Sequence, residues 1–270
     1  MALKPLIRWC SMLDWGDYGL SFAAILAVAI VYWFASLVRN DVSIVDSLWS
    51  LMFLLMLGLY MWMGDRSEPR ALLILSMVMV WAIRLCAFIT VRNHGQPEVH
   101  RYQTIRQNNE PNFRFKSIYI VFGLQAVLAG FIAMPLLYAA SGTAPLGWLD
   151  LVGVLLWLVG MFFEAVGYQQ LKSFRSDADN RGRVLDTGLW ALTRHPNYFG
   201  EFTLWWGYYC LALAAGGWWT VVSPLLMTFL LLRVSGVALL ESDISERRPD
   251  YAAYIRSTNA FFPGFPKPGK

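Results

Sequence analysis

The stretch TRHPNYFGEFTLWW, residues 193–206, sets polar and charged side chains directly against an aromatic, apolar run. Arg194, His195, Asn197 and Tyr198 offer a cation, an imidazole, an amide and a phenol within five positions, and Glu201 adds a carboxylate about one turn on. Pro196 has a fixed φ and no amide hydrogen, which suits the first turn of a helix, and His195 or Asn197 is placed to cap that start. The free amides of a helix N-terminus favour an anion. As structure this is an ordinary junction of loop and helix. As chemistry it gathers groups able to hold an anionic ligand beside an acid.

The segment before it, KSFRSDADNRGRVLDTGLWALTRHPN (172–197), is rich in Arg, Asn, Asp and Gly. Gly182 and Gly188 permit tight turns. Arg175, Arg181, Arg183 and Arg194 are candidates for phosphate, because guanidinium meets phosphate oxygens in bidentate pairs. The same residues also suit an ordinary cytoplasmic loop whose positive charge serves topology and lipid headgroups. The chain has no GxGxxG and no GxxxxGK[ST], so a nucleotide bound here is held by neither a Rossmann element nor a P-loop.

The elements that must position these groups are membrane spans. Of 270 residues 57% are hydrophobic and 15% charged, against about 25% charged in soluble domains. Apolar runs near 20 residues long predict an all-α polytopic membrane protein with seven transmembrane helices, roughly 19–38, 43–63, 70–92, 117–140, 147–170, 199–215 and 219–240. Sixteen of the 22 Lys and Arg then fall on one side of the membrane, which places the N-terminus outside and the C-terminus in the cytoplasm. No linker or repeat divides the chain, so a single domain, 1–270, is expected. The first run is read as a retained span, since no small-residue cleavage site follows it. Cys10, Cys86 and Cys210 are scattered, and His94, His100 and His195 form no HExxH, which gives a metal site or disulfide framework little support. The net charge of +4 is dispersed between spans, so nucleic acid is a poor partner.

Asp46, Arg84, Glu164, Glu201 and Arg233 lie in or at the mouths of these spans, all in the predicted cytoplasmic half. Each costs about 2.5–3.5 kcal/mol at a helix centre and must face a partner or a wet cavity. Ion pairs tying helices together would meet that need for any one of them. The whole set on one side points to a polar cavity open to the cytoplasm.

EAVGYQQLKSFRSDADNRGRVLDTGLWALTRHPNYFGEFTLWWGYY (164–209) resembles the C-terminal region of the steroid 5α-reductase family, closest to its bacterial members. VSIVDSLWS (42–50), WAIRL (81–85) and LLESDISERRPDYAAYIRSTNAFFPGFP (239–266) are similar to the same group. The short RHPxY element is shared more widely, with isoprenylcysteine and phospholipid methyltransferases. The resemblance implies seven transmembrane helices with NADPH bound from the cytoplasmic side, mainly by 164–256, and a substrate cavity formed mainly by the N-terminal spans. It implies cofactor contacts at Arg84, Arg175, Asn197, Glu201 and Arg233, with Asn180, Arg194, His195 and Tyr198 inside the same matched motif. Glu164 and Tyr168 are counted with the cofactor-binding positions, although they stand where steroid reductases carry an Asn and an Asp. Asp46 is the nearest match to a second-span Glu, and the third-span Tyr that partners that Glu falls on Trp81, so the phenol is missing at that position.

The implied reaction is NADPH-dependent reduction of a C=C bond conjugated to a ketone, in a 3-oxo-4-ene steroid or similar lipophilic enone. Hydride goes to the β-carbon and a proton to the α-carbon, with Asp46, alone or with a neighbouring hydroxyl, as the donor near the carbonyl. The rival is a membrane methyltransferase using S-adenosylmethionine. That cofactor carries no phosphate, and the arginines of 175–194 weigh toward NADPH. A lipid-binding or transport protein is the non-enzyme alternative, against which stand the one-sided charges and the lack of repeat symmetry. The expected partners are a lipophilic small molecule and membrane lipid. A monomer is expected, in the inner membrane if the source is bacterial.

Overall fold

The computed structural model describes residues 13–234 and 251–265. Among these residues five helices are long and apolar enough to cross a membrane: α1 (Trp15–Arg39), the Val42–Met63 helix, α3 (Pro69–Asn93), the Phe113–Ile132 helix and Trp148–Ser176. The chain is all-helical over these elements, as expected. The Val42–Met63 helix opens with a 3-10 turn, Val42–Ile44, capped by the Asp41 carboxylate on Ser43 N (2.8 Å), and continues as α2, Val45–Met63. The loop after α3 folds into a short polar helix, α4 (His100–Asn109).

The span expected over 117–140 is two helices. Phe113–Ser117 (α5) passes through a π-helical turn, Ile118–Gly123, into α6 (Leu124–Ile132); α7 (Met134–Ala140) then starts anew, with Pro135 in its first turn. Proline lacks the amide that would continue the ladder, so the helix stops at Ala133. The span expected at 147–170 is longer, α8 (Trp148–Ser176), and places Arg175 in its last helical turn rather than in the loop. After α9 (Leu189–Leu192) comes α10 (Pro196–Ala214), then an apolar helical stretch, Trp218–Val234, that contains α11 (Val222–Phe229). The rest of the run expected to 240 lies outside the described residues. A last helix, α12, spans Tyr251–Ser257.

Contacts group the chain into two compact units. The first takes the described residues through Leu146 together with Leu211–Ser223; the second takes Gly147–Cys210 and the described residues from Pro224 on. One boundary, between Leu146 and Gly147, lies in the loop before α8; the other two fall inside α10 and α11.

α8 shows how the second unit is built. Gly153, Trp157, Gly160, Glu164 and Gly167 are buried, whereas Leu151, Leu155, Leu158 and Phe162 are exposed. These are two faces of one helix, and the exposed one has the character of a lipid-facing stripe. On the buried face the glycines recur every seven residues, and α10 answers with Gly200 and Gly207. A β-carbon on Gly160 would sit 2.6 Å from Gly200 O, and one on Gly207 would sit 2.6 Å from Gly153 O. Only glycine allows backbones so close, as at small-residue seams of membrane helices. Two further buried charges close helix ends. Arg70 donates to Ala144 O and Pro145 O (3.0 Å each), and Asp150 accepts from Gly147 N (2.8 Å).

Candidate functional site

The first unit holds Asp46 in the opening turn of α2, 8% exposed. Two donors from α4 face the same carboxylate oxygen. Arg101 forms an ion pair with Oδ1, and the Tyr102 hydroxyl donates to it at 2.6 Å. The Tyr102 oxygen in turn accepts from Arg101 Nη2 (2.9 Å) and Gln125 Nε2 (3.1 Å), and the guanidinium lies 4.7 Å from its ring centre. Burial, and then the negative charge of Asp46, push the Tyr102 phenol above its ordinary value. In this network Asp46 is an acceptor.

A second tie fixes the same loop. Arg106 grips Glu98 through Nε (3.0 Å) and Nη2 (2.8 Å), and Glu98 Oε1 also accepts from Val42 N at 2.9 Å. Glu98 first of all holds the Arg106 guanidinium above its usual range. A bidentate pair of this kind fixes direction as well as distance, so α4 is anchored at both ends of the 3-10 turn that precedes Asp46.

Trp81 occupies another level of the bundle. Thr90 Oγ1 donates to Ser47 Oγ (3.0 Å), Ser50 Oγ donates to Ala82 O (2.9 Å), and the Trp81 ring packs 5.8 Å from Phe53. This register puts Trp81 opposite a residue seven positions after Asp46, roughly 10 Å along the helix. Trp81 is fully buried against Phe53 and does not belong to the Asp46 network described above. The phenol beside Asp46 is that of Tyr102, in a charged loop where sequence reasoning had no pattern to find it. Arg84 is half-buried on α3.

In the second unit the glycine seam brings α8 and α10 together at the RHPNY segment. Pro196 is the first residue of α10, as its chemistry predicts, and packs against Gly167. A β-carbon on Gly200 would lie 2.6 Å from Glu164 N, so Glu164 and Glu201 are brought close by backbone contact. Tyr168 hydrogen-bonds Asn197, and its phenol lies within electrostatic reach of Glu164, Tyr198 and Glu201. Trp205 Nε1 donates to Glu201 Oε1 (3.0 Å), and Trp157 Nε1 donates to the Tyr208 hydroxyl (3.0 Å), which faces both acids. His195 stacks on Tyr198 with ring centres 5.6 Å apart. Glu164, Glu201, Asn197 and His195 are all buried.

Thus Glu164, Tyr168, His195, Asn197, Tyr198 and Glu201, expected as cofactor contacts, form one cluster. Four further candidates of the same unit have contacts or exposure of their own. Arg175 is exposed at the end of α8, where a cation suits the helix dipole. Asn180 donates to Phe174 O (3.2 Å) and lines a cavity of about 600 Å³, whose walls include Val166, Gln169, Gln170, Leu185 and Thr187. Gly182 (φ 80°) and Gly188 (φ 61°) turn the chain around it. Arg233 is exposed at the end of the π-helical Leu230–Val234 and does not share the burial of the acids. Arg194 is buried, with its donors on carbonyls of the C-terminal segment.

Against known proteins, a family model described as "Protein of unknown function (DUF1295)" matches residues 32–258. No curated protein and no solved structure matches the chain. The matched family is related to the steroid 5α-reductase superfamily. One match takes in Asp46 with its loop partners, the glycine seam and the RHPNY cluster, and the chain belongs to the DUF1295 family.

Proposed function

We propose that this chain is a seven-span membrane reductase with its N-terminus outside, which uses NADPH to reduce the C=C bond of a 3-oxo-4-ene steroid or similar lipophilic enone. The observation that carries the reading is the meeting of Glu164 and Tyr168 with Asn197, Tyr198 and Glu201, residues some thirty positions apart that the resemblance assigns to one cofactor.

The residues present fit that cofactor. Asn197, Glu164 and Glu201 supply an amide and carboxylates suited to a carboxamide and ribose hydroxyls. The exposed Arg175, Arg181 and Arg183 carry the guanidinium groups suited to phosphate oxygens. When bound, NADPH supplies the hydride that adds to the β-carbon. Asp46 would hold Arg101 and the Tyr102 hydroxyl as the donors that stabilise charge developing on the substrate ketone oxygen, and a proton then adds at the α-carbon. Enone, NADPH and one proton give saturated ketone and NADP+.

One observation favours the alternative, a methyltransferase. Two carboxylates among tyrosines also suit a sulfonium cation. The test is oxidation of NADPH by purified protein given a 3-oxo-4-ene steroid, with Asp46→Ala expected to abolish it. Unchanged turnover in that variant removes Asp46 from the mechanism, and methyl transfer without NADPH oxidation overturns the reading.

A further inference from the structure

The RHPNY arginine is engaged with the C-terminal segment. Arg194 Nη1 donates to Thr258 O at 2.6 Å and Ile255 O at 3.3 Å, and Arg194 N donates to Asn259 O at 2.9 Å. Thr193 Oγ1 donates to Phe261 O (2.8 Å), Gly264 N to Leu192 O (3.0 Å), and the Tyr254 hydroxyl to Trp190 O. Ile255 and Thr258 lie at the end of α12, where carbonyls have no partner within the helix and a cation is favourable. Phe261 and Phe262 then pack on Phe199 and Phe202 of α10, with ring centres 5.4–6.2 Å apart. Residues 251–264 are therefore strapped along 190–202, in part by the side chains of two adjacent residues, Thr193 and Arg194.

We propose that Arg194 is a positioning residue. With Thr193 it clamps the C-terminal strap onto the first turns of α10 and so holds His195, Asn197 and Tyr198 in place. It does not read a phosphate, and any discrimination between NADPH and NADH falls to the loop arginines. The clamp stands on geometry alone; only its consequence for NADPH rests on the proposed function.

The test is amide hydrogen exchange of ligand-free protein in detergent, read on a peptide covering 251–265. Arg194→Gln is expected to speed exchange there about tenfold, and Thr193→Val a few-fold, through local opening of the strap. Exchange equal to wild type in Thr193→Val, which deletes one hydroxyl bond and keeps the charge, overturns the clamp; so does wild-type exchange in a folded Arg194→Gln. In the second arm Arg194→Gln is expected to weaken NADPH and NADH by the same factor. Selective loss of NADPH would make Arg194 a phosphate ligand and overturn the proposal. If wild-type protein binds neither nucleotide, the reductase reading fails while the exchange arm still decides the clamp.

Discussion

Asp46 and Glu201 are each 8% exposed, yet opposite means keep them in place. Asp46 is held by charge and hydroxyl: Arg101 and Tyr102 reach it from a loop helix that Glu98 and Arg106 anchor in turn. Glu201 depends on shape as well. It sits on a seam where glycines let α8 and α10 touch backbone to backbone, and it accepts from Trp205 Nε1, one turn away on its own helix. The charge-held acid should therefore answer to loss of a single donor, and the shape-held acids to added volume.

The largest effect expected is on the seam. Gly200→Val puts side-chain atoms 2.6 Å from the backbone of α8, where nothing can move aside cheaply. Over-packing of this kind costs about 1–3 kcal/mol or more, read as a lowered Tm in detergent. Gly58→Ala is the control: a β-carbon there meets nothing within 4 Å, so no loss is expected. Equal losses in the two variants would break the contrast.

Next comes Asp46→Ala, which removes the acceptor of the buried Tyr102 hydroxyl and one partner of Arg101. The Arg101 side chain is 34% exposed and water can reach it, so the cost is about 1–3 kcal/mol rather than that of a fully buried pair. Tyr102→Phe removes one bond and should cost about 1 kcal/mol. The smallest effect is on pH dependence. Tyr102's phenol is raised above its ordinary 10.0, so the folded state holds this proton more tightly than the unfolded chain. The stability it contributes is present below about pH 10 and is lost as pH climbs beyond, and melting of Tyr102→Phe should lack that decline.

These two regions were not equally legible in the sequence. The RHPNY helix start was, because Pro196 can only begin a helix, and the buried acids stood out in apolar runs. The glycine spacing of seven along α8, matched on α10, was also written there, and would have placed Glu164 beside Glu201 without a structure. Tyr102 was not legible. Its contact with Asp46 spans 56 positions and comes from a charged loop, where neither periodicity nor composition marks one tyrosine from another. Arg194 is a related case: a motif arginine reads as a ligand for phosphate, and only tertiary contact reveals the helix-end carbonyls that it bonds.

The central claim is that the α8–α10 cluster holds NADPH. Its most direct test is the melting temperature of the purified protein with NADPH, NADH or S-adenosylmethionine. A ligand at 100 times its Kd adds about 2.7 kcal/mol. NADPH should raise the Tm of the wild type and fail to do so in Glu201→Gln. Stabilisation by S-adenosylmethionine alone, lost in the same variant, would contradict the account.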